Sequence, residues 1–97
     1  MFQEINMVDV LPGQADAFAA AFIEVSARLR TVPGCRAVEL LRCVETPDRF
    51  QVRVSWDRIE DHVEHYPMTE TAAAIRAMLS PLIAGAQLAH YEVVPLH

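Results

Sequence analysis

The first ten residues alternate without leaving either side polar. Ile5, Met7 and Leu11 share one parity, while Phe2, Asn6, Val8 and Val10 share the other. Two largely apolar faces predict a strand over Phe2 to Leu11 that is covered on both sides, and Pro12-Gly13 supplies the turn that ends it. Phe18, Ala21, Phe22, Val25 and Leu29 then recur at helical spacing and form one apolar stripe on a helix from about Gln14 to Thr31. Pro33-Gly34 stops that helix. Arg36 to Glu45 and Arg49 to Trp56 flank Thr46-Pro47-Asp48 and read as the two strands of a hairpin. In the second strand Phe50, Val52, Val54 and Trp56 point one way, and Gln51, Arg53 and Ser55 the other. A polar row on a covered face signals contact with another subunit or a watered interior.

From Asp57 to Tyr66 the pattern is again that of a short helix, broken at Pro67. Thr69 is a good N-cap for a second piece, with Glu70 favoured in its first turn by the helix dipole. Ile75, Met78, Leu79 and Leu82 form its apolar side, Pro81 and Gly85 end it, and Leu88 to Val94 is a final strand. The order β-α-β-β-α-β predicts an α+β fold of the ferredoxin-like, split βαβ kind. It forms one domain over residues 1–97, with no internal repeat or linker. Helices on one face of a four-stranded sheet leave the other bare, and Ile5, Met7, Leu11, Leu41, Tyr91 and Val93 would stand on it. A patch of that kind predicts a homodimer packed sheet face to sheet face.

Composition narrows the function classes. An apolar share of 53% excludes a disordered chain. A net charge of −5 and a pI near 5.2 argue against nucleic acid or an anionic membrane as partner. The 8 cations are all arginine, so lysine Schiff-base chemistry is excluded. No run approaches the ~20 apolar residues of a membrane span. Glu4, Asn6 and Asp9 interrupt any apolar leader. If Cys35 and Cys43 share a strand they lie ~26 Å apart, beyond disulfide reach. They therefore read as free thiols of a cytoplasmic protein, and no Cys/His cluster predicts a metal site.

Four stretches carry a family resemblance: E-I-N-x-x-x-x-x-P-G from Glu4 to Gly13, V-P-G at Val32 to Gly34, R-F-Q-V-R-V-S-W from Arg49 to Trp56, and A-H-Y-E-V-V from Ala89 to Val94. Together they resemble the antibiotic biosynthesis monooxygenase family, whose members are dimeric α+β barrels of about this length. The resemblance implies a pocket between sheet and helices lined by Asn6, Val52, Val54 and Trp56. The family's haem degraders use an Asn on the first strand, a Trp on the short helix and an axial His on the next helix. Asn6 matches the first, but the second falls on His65 and the third on Ala74 or Ile75, which disfavours haem. The cofactor-free, quinone-forming oxygenases of polyketide pathways carry a Trp at the end of the third strand and an Arg twenty residues later. Trp56 and Arg76 fall on both; Val52 replaces a pocket Asn and His62 a Tyr. The family's signal isomerases share the E-I-N opening.

The candidate residues follow from their chemistry. His62 and His65, three apart on a helix, lie on roughly one face, and a neutral imidazole is a competent general base. Arg76, the one cation after Arg58, has small neighbours in Ala72, Ala73 and Ala77 and suits a phenolate or peroxide anion. Asn6, a polar amide in an apolar strand, requires a partner when buried. Trp56 either stacks on a ring or anchors the core. Tyr66, before Pro67, is a lid residue or a helix terminator. His90 shares parity with Leu88 and Glu92, on the side that reaches the pocket. The expected function is cofactor-independent oxygenation of a small aromatic, a phenol or hydroquinone, to a quinone by molecular oxygen. Trp56 and Asn6 would position the ring, Arg76 hold the anion, and His62 or His65 move the proton. A non-oxidative isomerase or cyclase, or a ligand-binding protein without turnover, would use the same parts.

Overall fold

The computed structural model describes residues 1–97. Strand β1 (Phe2–Val10) leads into helix α1 (Ala15–Leu29), then strands β2 (Cys35–Arg42) and β3 (Arg49–Trp56). A π-helical turn (Asp61–His65) and a 3₁₀ turn (Tyr66–Met68) precede helix α2 (Glu70–Leu79). A second 3₁₀ turn (Ser80–Leu82) opens strand β4 (Ile83–Glu92). The four strands form one antiparallel sheet in the order β2-β3-β1-β4. Each βαβ pair is split by a third strand, which is the α+β ferredoxin-like arrangement.

The register settles the two faces. Glu4, Asn6 and Val8 of β1 stand opposite Val54, Val52 and Phe50 of β3, and opposite His90, Leu88 and Ala86 of β4. This inner face meets α1 through Phe18, Phe22, Val25 and Leu29, and α2 through Ile75, all buried. The Phe18 ring lies 4.8 Å from that of Phe50 at the centre of the core. The outer face carries Ile5 and Met7, with Leu41 40% and Tyr91 53% exposed. The row Gln51, Arg53 and Ser55 lies on this outer face, away from the helices. No helix is long and apolar enough to cross a membrane. Both cysteines are free; Cys43 falls just past the end of β2.

Three sequence expectations are corrected. The last strand begins at Ile83, not Leu88. Pro81 closes the chain into a single 3₁₀ turn, the Leu11 N–H donates to the Leu82 carbonyl at 2.9 Å, and Val10 pairs with Ile83 across a bulge. Gly85 is therefore a strand residue opposite Asp9 and does not terminate a helix. Leu11 and Val93 lie beyond the ends of β1 and β4, so of the predicted bare face Ile5, Met7, Leu41 and Tyr91 remain in the sheet. The segment after Trp56 is not an α-helix. A π-helical turn rotates less per residue than an α-helix, so His62 and His65 diverge to different sides.

Asp61 holds that turn. It is 7% exposed and accepts from the Arg58 backbone N–H at 3.2 Å and from the Arg58 guanidinium at 3.4 Å. Gly34, at φ +90°, presses against its carboxyl, and a Cβ there would collide with Asp61. The Gly34 carbonyl also accepts from the Asp57 N–H at 2.8 Å. One glycine thus sets the distance between the start of β2 and the turn that carries His62. Gly34→Ala is expected to lower stability by about 1–3 kcal/mol through overpacking and a disfavoured φ. The check is a lower urea midpoint at unchanged denaturant slope.

Candidate active site

Between the inner sheet face and the two helices lies a cavity of about 240 Å³. Most of its wall is apolar, with Val8, Val52 and Val54 from the sheet, Phe18 and Phe22 from α1, and Ile75 and Leu79 from α2. Its polar groups are few: Glu4 and Asn6 from β1, His62 and Tyr66 from the turns, and Arg76 from α2.

Glu4 organises them. The residue is 8% exposed, and its Oε1 accepts from Trp56 Nε1–H at 3.2 Å and lies 3.2 Å from His62 Nε2. Oε2 makes no hydrogen bond within the chain. Burial raises the Glu4 pKa above the ordinary carboxylate value, opposed in part by the Trp56 hydrogen bond. His62 Nδ1 lies 2.6 Å from Nε2 of His90, its strand position directly across from Glu4. Burial, and secondarily the charge of His90, depress the His62 pKa to about 4, so its ring is neutral at pH 7. Each ring nitrogen of His62 thus serves a different partner, which makes a line of three groups and not a chelate.

The remaining polar groups are unpaired. Asn6 Oδ1 is buried and has no hydrogen-bond partner, an arrangement that costs roughly 1–3 kcal/mol. Tyr66 lines the cavity with a free hydroxyl, its pKa pushed up to about 12 by burial and then by Glu4, against the opposing pull of Arg76. It is a neutral hydrogen-bond donor. Arg76 has no carboxylate within ion-pair distance and is exposed on its far side, so it stands at the cavity mouth. Thr69 caps α2 by accepting from the Ala72 N–H at 3.1 Å, which fixes the helix that presents it.

Of the residues singled out in the sequence, Asn6, Val52, Tyr66, His62 and Arg76 come together on this cavity. His90 reaches it through His62. Trp56 is fully buried behind the wall, its ring stacked on His62 at 5.2 Å and 15°, so it orients Glu4 and His62 and offers no face to the cavity. His65 lies outside, 59% exposed, 3.4 Å from Asp61. Sequence reasoning gives Glu4 no chemical role, placing it only in the E-I-N stretch and as a break in an apolar run. The available signal was its parity: it shares the inner face with Asn6 and Val8, where a carboxyl must find partners.

Residues 1–77 match the family described as antibiotic biosynthesis monooxygenase. The chain belongs to the antibiotic biosynthesis monooxygenase family. A Bordetella bronchiseptica protein assigned to it superposes with a TM-score of 0.93 at 25% identity, over 97% of each chain. One from Chloroflexus aurantiacus is 27% identical with a TM-score of 0.76, over 99% of this chain and 93% of its own. One from Nitrosomonas europaea, at 19% identity and a TM-score of 0.84, covers 98% of this chain and 100% of its own and shows likeness of fold alone. No curated protein matches by sequence. The fold is thus that of the family's small-molecule monooxygenases. Helix α2 of this member carries no histidine, so the axial ligand of the haem degraders has no counterpart there.

The His62 pKa sets a sign for acid stability. Its folded value near 4 lies below the ordinary 6.5, so between them the unfolded chain binds more protons. The contribution of His62 is complete above pH 6.5 and lost as pH falls towards 4. Glu4, with a raised pKa, acts in the opposite sense. Urea midpoints across pH 4 to 6.5 are expected to fall more steeply with acid in the native chain than in His62→Gln, and NMR titration of the His62 ring is expected to give a midpoint near 4.

Proposed function

We propose that this protein is a cofactor-independent monooxygenase that converts a small phenol or hydroquinone-type aromatic to a quinone. The observation that carries the reading is the buried Glu4–His62 pair in the lining of a largely apolar cavity that Arg76 also lines. In this reading Glu4 takes the phenolic proton, aided by His62, while Arg76 stabilises the phenolate. Asn6 and Tyr66 hydrogen-bond the ring oxygen, and the valines of the sheet pack against the ring. With a phenol bearing hydrogen at the para carbon, the phenolate gives one electron to O₂, the two radicals join as a peroxide at that carbon, and loss of its proton breaks the O–O bond. Phenol and O₂ thus become quinone and water, with no other reductant. A hydroquinone instead passes two electrons and two protons to O₂ and yields quinone and hydrogen peroxide.

The volume favours a small substrate. About 240 Å³ lies below the ~300–1,000 Å³ of pockets for drug-sized ligands, so one- and two-ring phenols fit better than three-ring anthrones. Oxygen uptake coupled to quinone absorbance, measured with naphthols, dihydroxynaphthalenes and anthrones without added flavin, nicotinamide or haem, tests the reading. Arg76→Ala is expected to lower kcat by about 100-fold, and Glu4→Gln by about 100- to 10,000-fold. Turnover that persists under nitrogen overturns the oxygenase in favour of an isomerase, and binding without turnover leaves a ligand-binding protein.

We also propose that a second copy of the chain covers the outer sheet face. The slab is 19 Å in its shortest extent and exposes 6154 Å², against about 5,600 Å² for a compact chain of this mass. Ile5, Met7, Leu41 and Tyr91 form the apolar part of that face. Sedimentation is expected to give a dimer and Met7→Glu a monomer; a monomeric native chain overturns this.

A further inference from the structure

We propose that Glu4, His62 and His90 form a proton conduit linking the cavity to water at the sheet edge, with His90 as its outer terminus. In catalysis it rests on the oxygenase reading above, but as a path for proton exchange it stands on geometry alone. Glu4 and His90 face each other across β1 and β4, and His62 from the π-helical turn bridges them, at 3.2 Å to the carboxyl and 2.6 Å to the second ring. Strand β4 is the edge of the sheet, and its half-buried His90 lies between exposed Ala89 and Tyr91. A buried carboxyl used as a base must be unloaded after each proton it takes, and His62 and His90 are the polar side chains in line between Glu4 and the sheet edge.

Two proton arrangements are open to the three groups. With Glu4 protonated, its O–H donates to His62 Nε2, and His62 Nδ1–H donates to His90 Nε2. With Glu4 ionised, His62 Nε2–H donates to the carboxylate and His90 Nε2–H to His62 Nδ1. The first becomes the second when Glu4 passes its proton to His62 Nε2, His62 passes its Nδ1 proton to His90 Nε2, and His90 releases its Nδ1 proton to water. No bond other than N–H and O–H changes, both rings are neutral at the start and at the end, and the charge left behind is that of the Glu4 carboxylate, ready to act again as a base. The reverse stroke reloads Glu4, which can then protonate the departing peroxide oxygen, so one outward and one inward stroke return both rings to their starting tautomers. The other titratable or charged groups at the chain are Tyr66 from the 3₁₀ turn, Cys35 from β2 and Arg76 from α2. Trp56 from β3 supplies a fixed donor.

His90→Leu and His90→Gln test this together, because Gln keeps a hydrogen bond to His62 but relays no proton. In weak buffer both are expected to lower kcat about 10- to 100-fold with KM unchanged, and added imidazole is expected to restore the rate. Full activity in His90→Gln, or a loss that imidazole does not repair, overturns the proposal and leaves His90 a positioning residue. Should no phenol be turned over by the native chain, NMR exchange of the His62 ring N–H with water still decides. Slower exchange in His90→Leu supports a conduit; equal or faster exchange overturns it.

Discussion

A carboxyl buried on the inner face of a central strand must be compensated, and much of this molecule is arranged around that requirement at Glu4. An ionised group taken out of water costs several kcal/mol unless it is paired and hydrogen-bonded. Trp56 supplies one donor, which requires an indole at the end of β3 with its ring in the core. His62 brings a ring nitrogen to 3.2 Å from the same oxygen, which requires the chain after β3 to turn back over the inner face of the sheet. The π-helical turn achieves this, and Asp61, wedged against Gly34, keeps it in place. Removing Trp56 or His62 leaves the buried carboxyl with one polar partner fewer. The arrangement therefore acts as a unit, and effects at Glu4, Trp56 and His62 are expected to be non-additive.

The same arrangement sets what the cavity can do. In the proposed reaction the apolar walls exclude water, so a phenolate formed inside would feel the Arg76 guanidinium through a low dielectric and be stabilised more than in solution. Desolvation alone would make phenol ionisation harder. A base already held in the wall offsets this, because Glu4 with a raised pKa is better matched to a phenolic proton than an ordinary carboxylate. Asn6 Oδ1 is left unpartnered and Tyr66 lines the same cavity, so both are available to a ligand's polar groups. A hydrogen bond formed there recovers a cost already borne by the folded state, so ligands with a well-placed donor gain more than those without one.

Periodicity and turn residues made the architecture legible. The stripe from Phe18 to Leu29 and the alternation from Phe50 to Trp56 each have one dominant period, and Thr69 marks the start of α2 as a true cap. What escaped depends on tertiary context. Gly85 has the chemistry of a helix stop, yet pairing with β1 overrides it. The spacing of His62 and His65 assumed α-helical geometry, and the π-helical turn separated them. Trp56 and Arg76 were both legible as site residues, but only the three-dimensional arrangement distinguishes a side chain at the cavity mouth from one that supports the wall behind it. Glu4 was missed because polar residues near a terminus are usually solvated, and only β3 and β4 on either side of β1 bury it.

The departures from local rules are not scattered. The buried carboxyl, the orphaned amide of Asn6 and the π-helical turn all surround one cavity, while the hydrophobic core follows ordinary packing. Each departure lowers stability or is rare in structural terms. A fold under selection for stability alone would replace Asn6 with an aliphatic residue such as its neighbours Val8 and Val52, and would have no reason to bury Glu4. Concentrating these costs at a single cavity is what a site shaped for chemistry requires. This argues against a vestigial pocket more directly than fold membership does, since a cavity relieved of its function would be expected to lose its buried polar groups first.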